Sequence, residues 1–209
     1  MRFLASLLAI ALLAAAGCTT SGVRPVFFSA GDLNQEHRIV YVMDHSGSMV
    51  CSIDYVQYEL KHSIARLNKT DQFHVIFYSS GPPVEMPTRR LIEATERNKH
   101  LAFEFIDGII AQGETDPSEA LRRAFAEGPD TILVLTDGEF DPQVARLVKD
   151  LNKDGKVKVH TYGFLYKTSE AILKQIAAEN GGTYKFVTEA DLANLARQRF
   201  GTKSLEMTP

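Results

Sequence analysis

The chain has 209 residues, of which 44% are hydrophobic and 23% charged, with a net charge of −3. That balance suits a globular domain with a real core and lacks the basic stripe that a nucleic-acid partner requires. Charges are scattered without a block of one sign, and there is no low-complexity tract or internal repeat.

The N-terminal segment reads apart from the rest. Arg2 is a minimal positive n-region, and residues 3–16 carry no charge and a single Ser. The run is shorter than the roughly 20 apolar residues that span a bilayer, so it reads as a signal-peptide h-region, residues 1–17. Its end, Leu13-Ala14-Ala15-Ala16-Gly17-Cys18, resembles a bacterial lipobox, in which small residues precede a Cys that is diacylated and becomes the new N-terminus. Ala15 departs from that pattern, where Leu is commonest. The resemblance implies a lipoprotein held at the membrane of a bacterial cell envelope through Cys18, with its domain exported to the periplasmic or surface side. The alternative is ordinary cleavage after Ala16, leaving Cys18 a thiol. Cys18 and Cys51 are the only cysteines. If Cys18 is acylated, Cys51 has no partner and reads as a small buried hydrophobe, a reactive role being the alternative. Residues 18–35 form a tether whose Val26, Phe27 and Phe28 can dock on the domain, residues 36–201 the folded domain, and residues 202–209 a tail.

Strands and helices then alternate. Residues 39–43 are a continuous apolar run ending at Asp44, which fits a strand buried on both faces. Val56, Leu60, Ile64 and Leu67 recur at helical spacing. Residues 73–78 read as a strand; residues 83–87, in which Pro83 and Pro87 flank Val84-Glu85-Met86, are confined to an edge strand or a loop. Ala102, Ile106, Ile109 and Ile110 predict the apolar side of a further helix. Asp116-Pro117-Ser118-Glu119 carries a capping signal for the next, and Asp141-Pro142 repeats it. Residues 132–135 form another buried strand, and residues 157–164 a further one. The helix over residues 170–180 is stopped by Gly181-Gly182, residues 183–187 form the last strand, and Thr188 caps a final helix. This rhythm predicts an α/β fold: a doubly wound, mostly parallel open sheet with helices on both faces.

Three segments carry the chemistry. Asp44-His45-Ser46-Gly47-Ser48 follows the first buried strand, Gly113-Glu114-Thr115-Asp116 opens a helix, and Thr136-Asp137-Gly138-Glu139 follows a later strand. In open α/β sheets, ligand sites lie beyond the carboxyl ends of strands, where the strand order reverses. Two carboxylates and three hydroxyls are hard oxygen donors of the kind Mg²⁺ takes. No cysteine or histidine cluster argues for zinc. His45, Glu114 and Glu139 read as residues of the rim, and Asp116 and Asp141 as helix caps.

The pattern D-x-S-x-S, then T, then D resembles the metal-ion-dependent adhesion site of von Willebrand factor type A domains, over roughly residues 37–200. The resemblance implies that Asp44, Ser46, Ser48, Thr115 and Asp137 contact the metal, Mg²⁺ with Mn²⁺ or Ca²⁺ as alternatives. It also implies six strands in the order 3-2-1-4-5-6, with an antiparallel edge strand for which residues 83–89 are the candidate. The function it implies is metal-dependent binding of another protein that presents an Asp or Glu carboxylate. In related adhesion domains, ligand binding makes the Thr a direct ligand and moves the last Asp outward.

Other classes are weaker. No G-x-x-x-x-G-K-[ST] or G-x-G-x-x-G is present, so a nucleotide has no support. Asp44-His45-Ser46 lies on one loop and is not a catalytic triad, which is assembled by geometry. A metal-assisted hydrolase would need a base, and only Glu114 or Glu139 is available. A structural envelope lipoprotein with a stabilising metal is the third class.

Overall fold

The computed structural model describes residues 36–139 and 141–200. The expectations for the leader, Cys18, residues 26–28 and the tail lie outside these residues.

Strand β1 (Arg38–Asp44) is buried at every residue after Arg38. Its alternation sends two sets of side chains into two cores. Ile39, Tyr41 and Met43 pack with Val56, Leu60 and Ile64 of α1 (Ile53–Ala65) and with Ala102 and Ile106 of α2 (Glu96–Asp107). Val40 and Val42 pack on the opposite face. They meet Leu121 and Ala124 of α3 (Ser118–Ala126), Val148 of α4 (Gln143–Leu151) and Ile176 of α5 (Glu170–Glu179). Burying one such aliphatic side chain contributes about 1.5–3 kcal/mol, and covering both faces is what requires a continuous apolar run.

The other strands are β2 (Gln72–Tyr78), β3 (Val84–Glu85), β4 (Ile92–Glu93), β5 (Thr131–Thr136), β6 (Lys158–Phe164) and β7 (Tyr184–Val187). The sheet runs β3-β2-β1-β5-β6-β7, with β4 also paired to β2. β1, β2, β5, β6 and β7 are parallel, whereas β3 and β4 are antiparallel to β2. The expected path is therefore present, with a two-residue seventh strand added. The expected edge strand over residues 83–89 shrinks to Val84–Glu85, because the flanking prolines donate no ladder hydrogen bond.

Helix ends follow local chemistry. α5 stops at Gly181, whose φ of +62° suits only the left-handed cap, and the Gly182 amide donates to the Ala177 carbonyl at 2.9 Å. α6 (Glu189–Phe200) opens with a reciprocal pair: the Asp191 amide donates to Thr188 Oγ1 at 3.2 Å, and the Thr188 amide donates to Asp191 Oδ2 at 2.9 Å. Asp116 and Asp141 accept the amides of Ser118 and Gln143 at 2.9 and 2.8 Å, with Pro117 and Pro142 just before α3 and α4. One expectation is corrected. α2 ends at Asp107, ahead of Gly108, so Ile109 and Ile110 both lie in the following loop; Ile109 is still buried, whereas Ile110 is exposed. Among the described residues, no helix is long and apolar enough to cross a membrane.

Candidate metal site

β1 and β5 are neighbours, and the chain leaves β1 towards β2 on the other side. The crevice at their carboxyl ends is thus the switch point of the sheet. Asp44 ends β1, and Asp137 follows Thr136 at the end of β5.

The two loops are joined by a chain of oxygen atoms. Asp44 Oδ1 accepts the Ser46 amide at 2.8 Å, and Asp44 Oδ2 accepts the Thr136 hydroxyl at 2.7 Å. Ser46 Oγ and Ser48 Oγ are 3.0 Å apart, and Ser48 Oγ donates to Asp137 Oδ1 at 2.6 Å. The other oxygen of that carboxylate, Asp137 Oδ2, is buried and has no hydrogen-bond partner. Thr115 joins from the third loop: a Cβ built on Gly138 would lie 2.8 Å from Thr115 Oγ1. The residues expected from the sequence are therefore brought together, Asp44, Ser46, Ser48 and Asp137 by hydrogen bonds and Thr115 by its packing on Gly138.

Backbone bonds fix the loops. The Gly47 amide donates to the Gly113 carbonyl at 2.9 Å, and the Gln112 amide donates to the His45 carbonyl at 2.7 Å. Gly113 has φ of +80°, and a Cβ there would lie 2.8 Å from Ser80 Oγ, so both conformation and space call for glycine. Ser169 Oγ donates to the Gly138 carbonyl at 2.6 Å. His45 is buried, with Nδ1 2.9 Å from the Ile110 carbonyl and its ring edge-on to Phe77. It pins the first loop to the segment leading to Thr115 and is not a free rim residue. Glu114 and Glu139 are exposed. Cys51 is exposed as well, which corrects the expectation of a buried hydrophobe. It ends a short 3₁₀ turn (Gly47–Cys51) in which only Met49 is buried.

Thr136, Ser169 and Gly113 complete the site and were not singled out individually from the sequence. Thr136 and Gly113 lie inside the segments already marked, and a left-handed turn is the signal Gly113 carries. Ser169 reaches across from the loop before α5, a contact no local pattern encodes.

Burial pushes Asp44 above the usual carboxylate range, against the hydrogen bonds of Thr136 and Ser46. Burial also raises Asp137; the Ser48 hydrogen bond opposes this and the charge of Asp44 adds to it. Two carboxylates held out of water, one with an unsatisfied oxygen, together with neutral hydroxyls, make a donor set that fits a hard divalent cation.

The sequence matches the von Willebrand factor type A domain over residues 37–186. It is 30% identical over 183 residues to inter-alpha-trypsin inhibitor heavy chain H4 of Bos taurus, covering 78% of this chain and 20% of that protein. The chain spans about a fifth of the length of the curated heavy-chain relatives it matches. Its fold is similar to a von Willebrand factor type A structure from Catenulispora acidiphila, with a TM-score of 0.67, 23% identity and coverage of 80% of this chain and 42% of that one. It is also similar to the pilus adhesin SpaC from Lactobacillus rhamnosus GG in its open conformation, with a TM-score of 0.64, 16% identity and coverage of 81% and 30%. The sequence match begins just before β1 and ends within β7, and it includes both carboxylates at the switch point of the sheet. The chain belongs to the von Willebrand factor type A domain family.

Proposed function

We propose that this domain binds another protein in a divalent-cation-dependent manner. Asp44, Ser46, Ser48, Thr115 and Asp137 would hold the ion, Mg²⁺ in the first instance, with Mn²⁺ or Ca²⁺ as alternatives. When bound, the ion supplies a Lewis-acidic position that accepts an anionic oxygen, here a partner's Asp or Glu carboxylate. The observation that carries this reading is Asp137 Oδ2, a buried carboxylate oxygen left without a partner beside an already connected run of oxygen donors.

The chain's own residues account for the rest. Asp44 and Asp137 balance a divalent charge, while the three hydroxyls add none, so an incoming carboxylate meets no large excess of negative potential. His45 and Gln112 tie the first two loops together and hold the donors in place. A protein partner is supported by apolar side chains at the same end of the sheet. Val50 and Ile110 are each 67% exposed and Tyr166 is 59% exposed. Val50 is two residues from Ser48, Ile110 gives its carbonyl to His45, and Tyr166 precedes Thr168, whose hydroxyl donates to the Asp137 carbonyl at 3.5 Å. Exposed apolar groups around a polar centre mark protein-contact surfaces. The pilus adhesin that shares this fold is named for such a role. A binding role is favoured over hydrolysis because both buried carboxylates belong to the ion's donor set and Glu114 and Glu139 sit exposed at the rim. The reading places the domain at a bacterial envelope membrane, anchored through lipidated Cys18, with support from the lipobox-like run.

The test is capture of proteins from envelope extract on the immobilised chain in Mg²⁺ and in EDTA, with wild type and Thr115→Ala. The variant keeps both carboxylates and is expected to retain the ion but lose Mg²⁺-dependent capture. Identical capture by the variant, or capture indifferent to EDTA, would reduce the ion to a structural role.

A further inference from the structure

A cleft of about 680 Å³ opens between α3 and α4, and its lining includes Thr115. One of the five proposed ion-holding residues therefore lines this cleft as well. Arg122 stands one turn into α3 and Arg146 one turn into α4, and both line the cleft. Asp150 lines it one turn further along α4. Val144 and Leu147 add an apolar wall.

The two arginines have no task within the fold. Among the described residues, neither makes an ion pair or a side-chain hydrogen bond, and both are exposed. Their neighbour Arg123 shows the contrast: it binds Glu85 through two 2.9 Å hydrogen bonds and reaches Glu127 at 3.1 Å. The carboxylates nearest the mouth, Asp116 and Asp141, are engaged in capping α3 and α4. What remains available to a ligand is a pair of guanidiniums, the group best matched to a carboxylate, with the Asp150 carboxylate beside them.

We propose that this cleft holds the stretch of partner polypeptide that continues from the ion-bound carboxylate, and that Arg122 and Arg146 together grip a second partner carboxylate. The proposal rests on the metal-dependent reading above. Arg122 lies seven positions beyond Thr115, on the order of 10 Å at about 1.5 Å of rise per helical residue, and Arg146 lines the same cleft from α4. An extended chain covers that in roughly three residues. The fitting segment therefore carries two acidic residues about three positions apart, with a basic residue next to face Asp150.

The test uses two fluorescein-labelled peptides in Mg²⁺, read by anisotropy. One is Gly-Asp-Gly-Gly-Glu-Gly-Lys, and the other has Gln in place of Glu. Wild type is expected to bind the two-acid peptide about tenfold more tightly than the one-acid peptide. Arg122→Gln combined with Arg146→Gln is expected to abolish that preference, leaving Mg²⁺ affinity and one-acid binding unchanged. If wild type binds both peptides equally, or the double variant keeps the preference, the cleft proposal is wrong and the ion–carboxylate reading survives. If neither peptide binds wild type in Mg²⁺, the ion–carboxylate reading itself fails, and the cleft with it.

Discussion

At Asp137 one carboxylate oxygen accepts the Ser48 hydroxyl and the other is buried without a partner. An unsatisfied buried polar group costs about 1–3 kcal/mol, a local cost that a cation would offset. Gly138 beside it decides where Thr115 stands. A methyl group added there meets Thr115 Oγ1 at 2.8 Å, and the obstructing atom is a side-chain hydroxyl able to rotate away. Gly138→Ala is thus expected to change stability by no more than about 1 kcal/mol. It is also expected to abolish Mg²⁺-dependent partner capture by displacing the Thr115 hydroxyl. Denaturant unfolding alongside the capture assay checks both halves; full capture by the variant would show that Thr115's position is unimportant. The donor residues were legible because D-x-S-x-S, Thr and Asp stand at the ends of recognisable elements. Thr136's bond to Asp44 was not, since it spans 92 positions of sequence. Cys51 was misread as buried because a short 3₁₀ turn buries one residue in five, which no helical or strand period reveals.

Among the elements, the β3 edge is held by charge rather than by length. Glu85 on this two-residue strand receives Arg123 from α3 and lies 3.1 Å from His74 Nε2 on β2. Burial alone would push Glu85 upward; the Arg123 hydrogen bonds, then His74, outweigh it and hold the carboxyl at about 2. Burial also lowers His74 from its ordinary 6.5, against the pull of Glu85. For a depressed carboxyl, the stabilisation is complete above its unfolded value of 4.5 and is lost as pH falls towards 2. A depressed histidine acts in the same direction, because the unfolded chain takes up the proton first as pH drops through 6.5. Arg123 is 32% exposed, so solvent screening reduces the effect to about 1–2 kcal/mol. Glu85→Gln is expected to lose that amount at pH 7, with the gap to wild type closing between pH 4.5 and 2 in urea titrations. A gap that does not vary with pH would show that the ion pair contributes nothing. The sequence marked this edge only through its prolines. His74 carried no recognisable spacing, because its partner Glu85 is set by strand register. Ile110 was likewise assigned to α2 by periodicity, although the chain leaves the helix at Gly108.

For the molecule as a whole, the sheet order does the positioning. Parallel strands buried on both faces read as continuous apolar runs, so β1 and β5 could be seen in the sequence with their ends nearly in place, and β2 and β6 were bounded almost as closely. The pairing of β1 with β5 came from the family resemblance, since adjacency in a sheet is a tertiary fact. That pairing brings Asp44 and Asp137 to one crevice and connects it, through Thr115, with the cleft between α3 and α4. An ion bound only by the native state adds stability by mass action, about 2.7 kcal/mol at a hundredfold excess over its dissociation constant. The most direct measurement is calorimetric titration of Mg²⁺ into the purified chain, wild type against Asp137→Asn. The variant keeps the shape of the side chain and removes one of the two charges proposed to hold the ion. The account predicts a single ion per wild-type chain and binding weakened by about tenfold or more in the variant. Wild type that takes up no Mg²⁺, or a variant that binds it as tightly as wild type, would contradict the account.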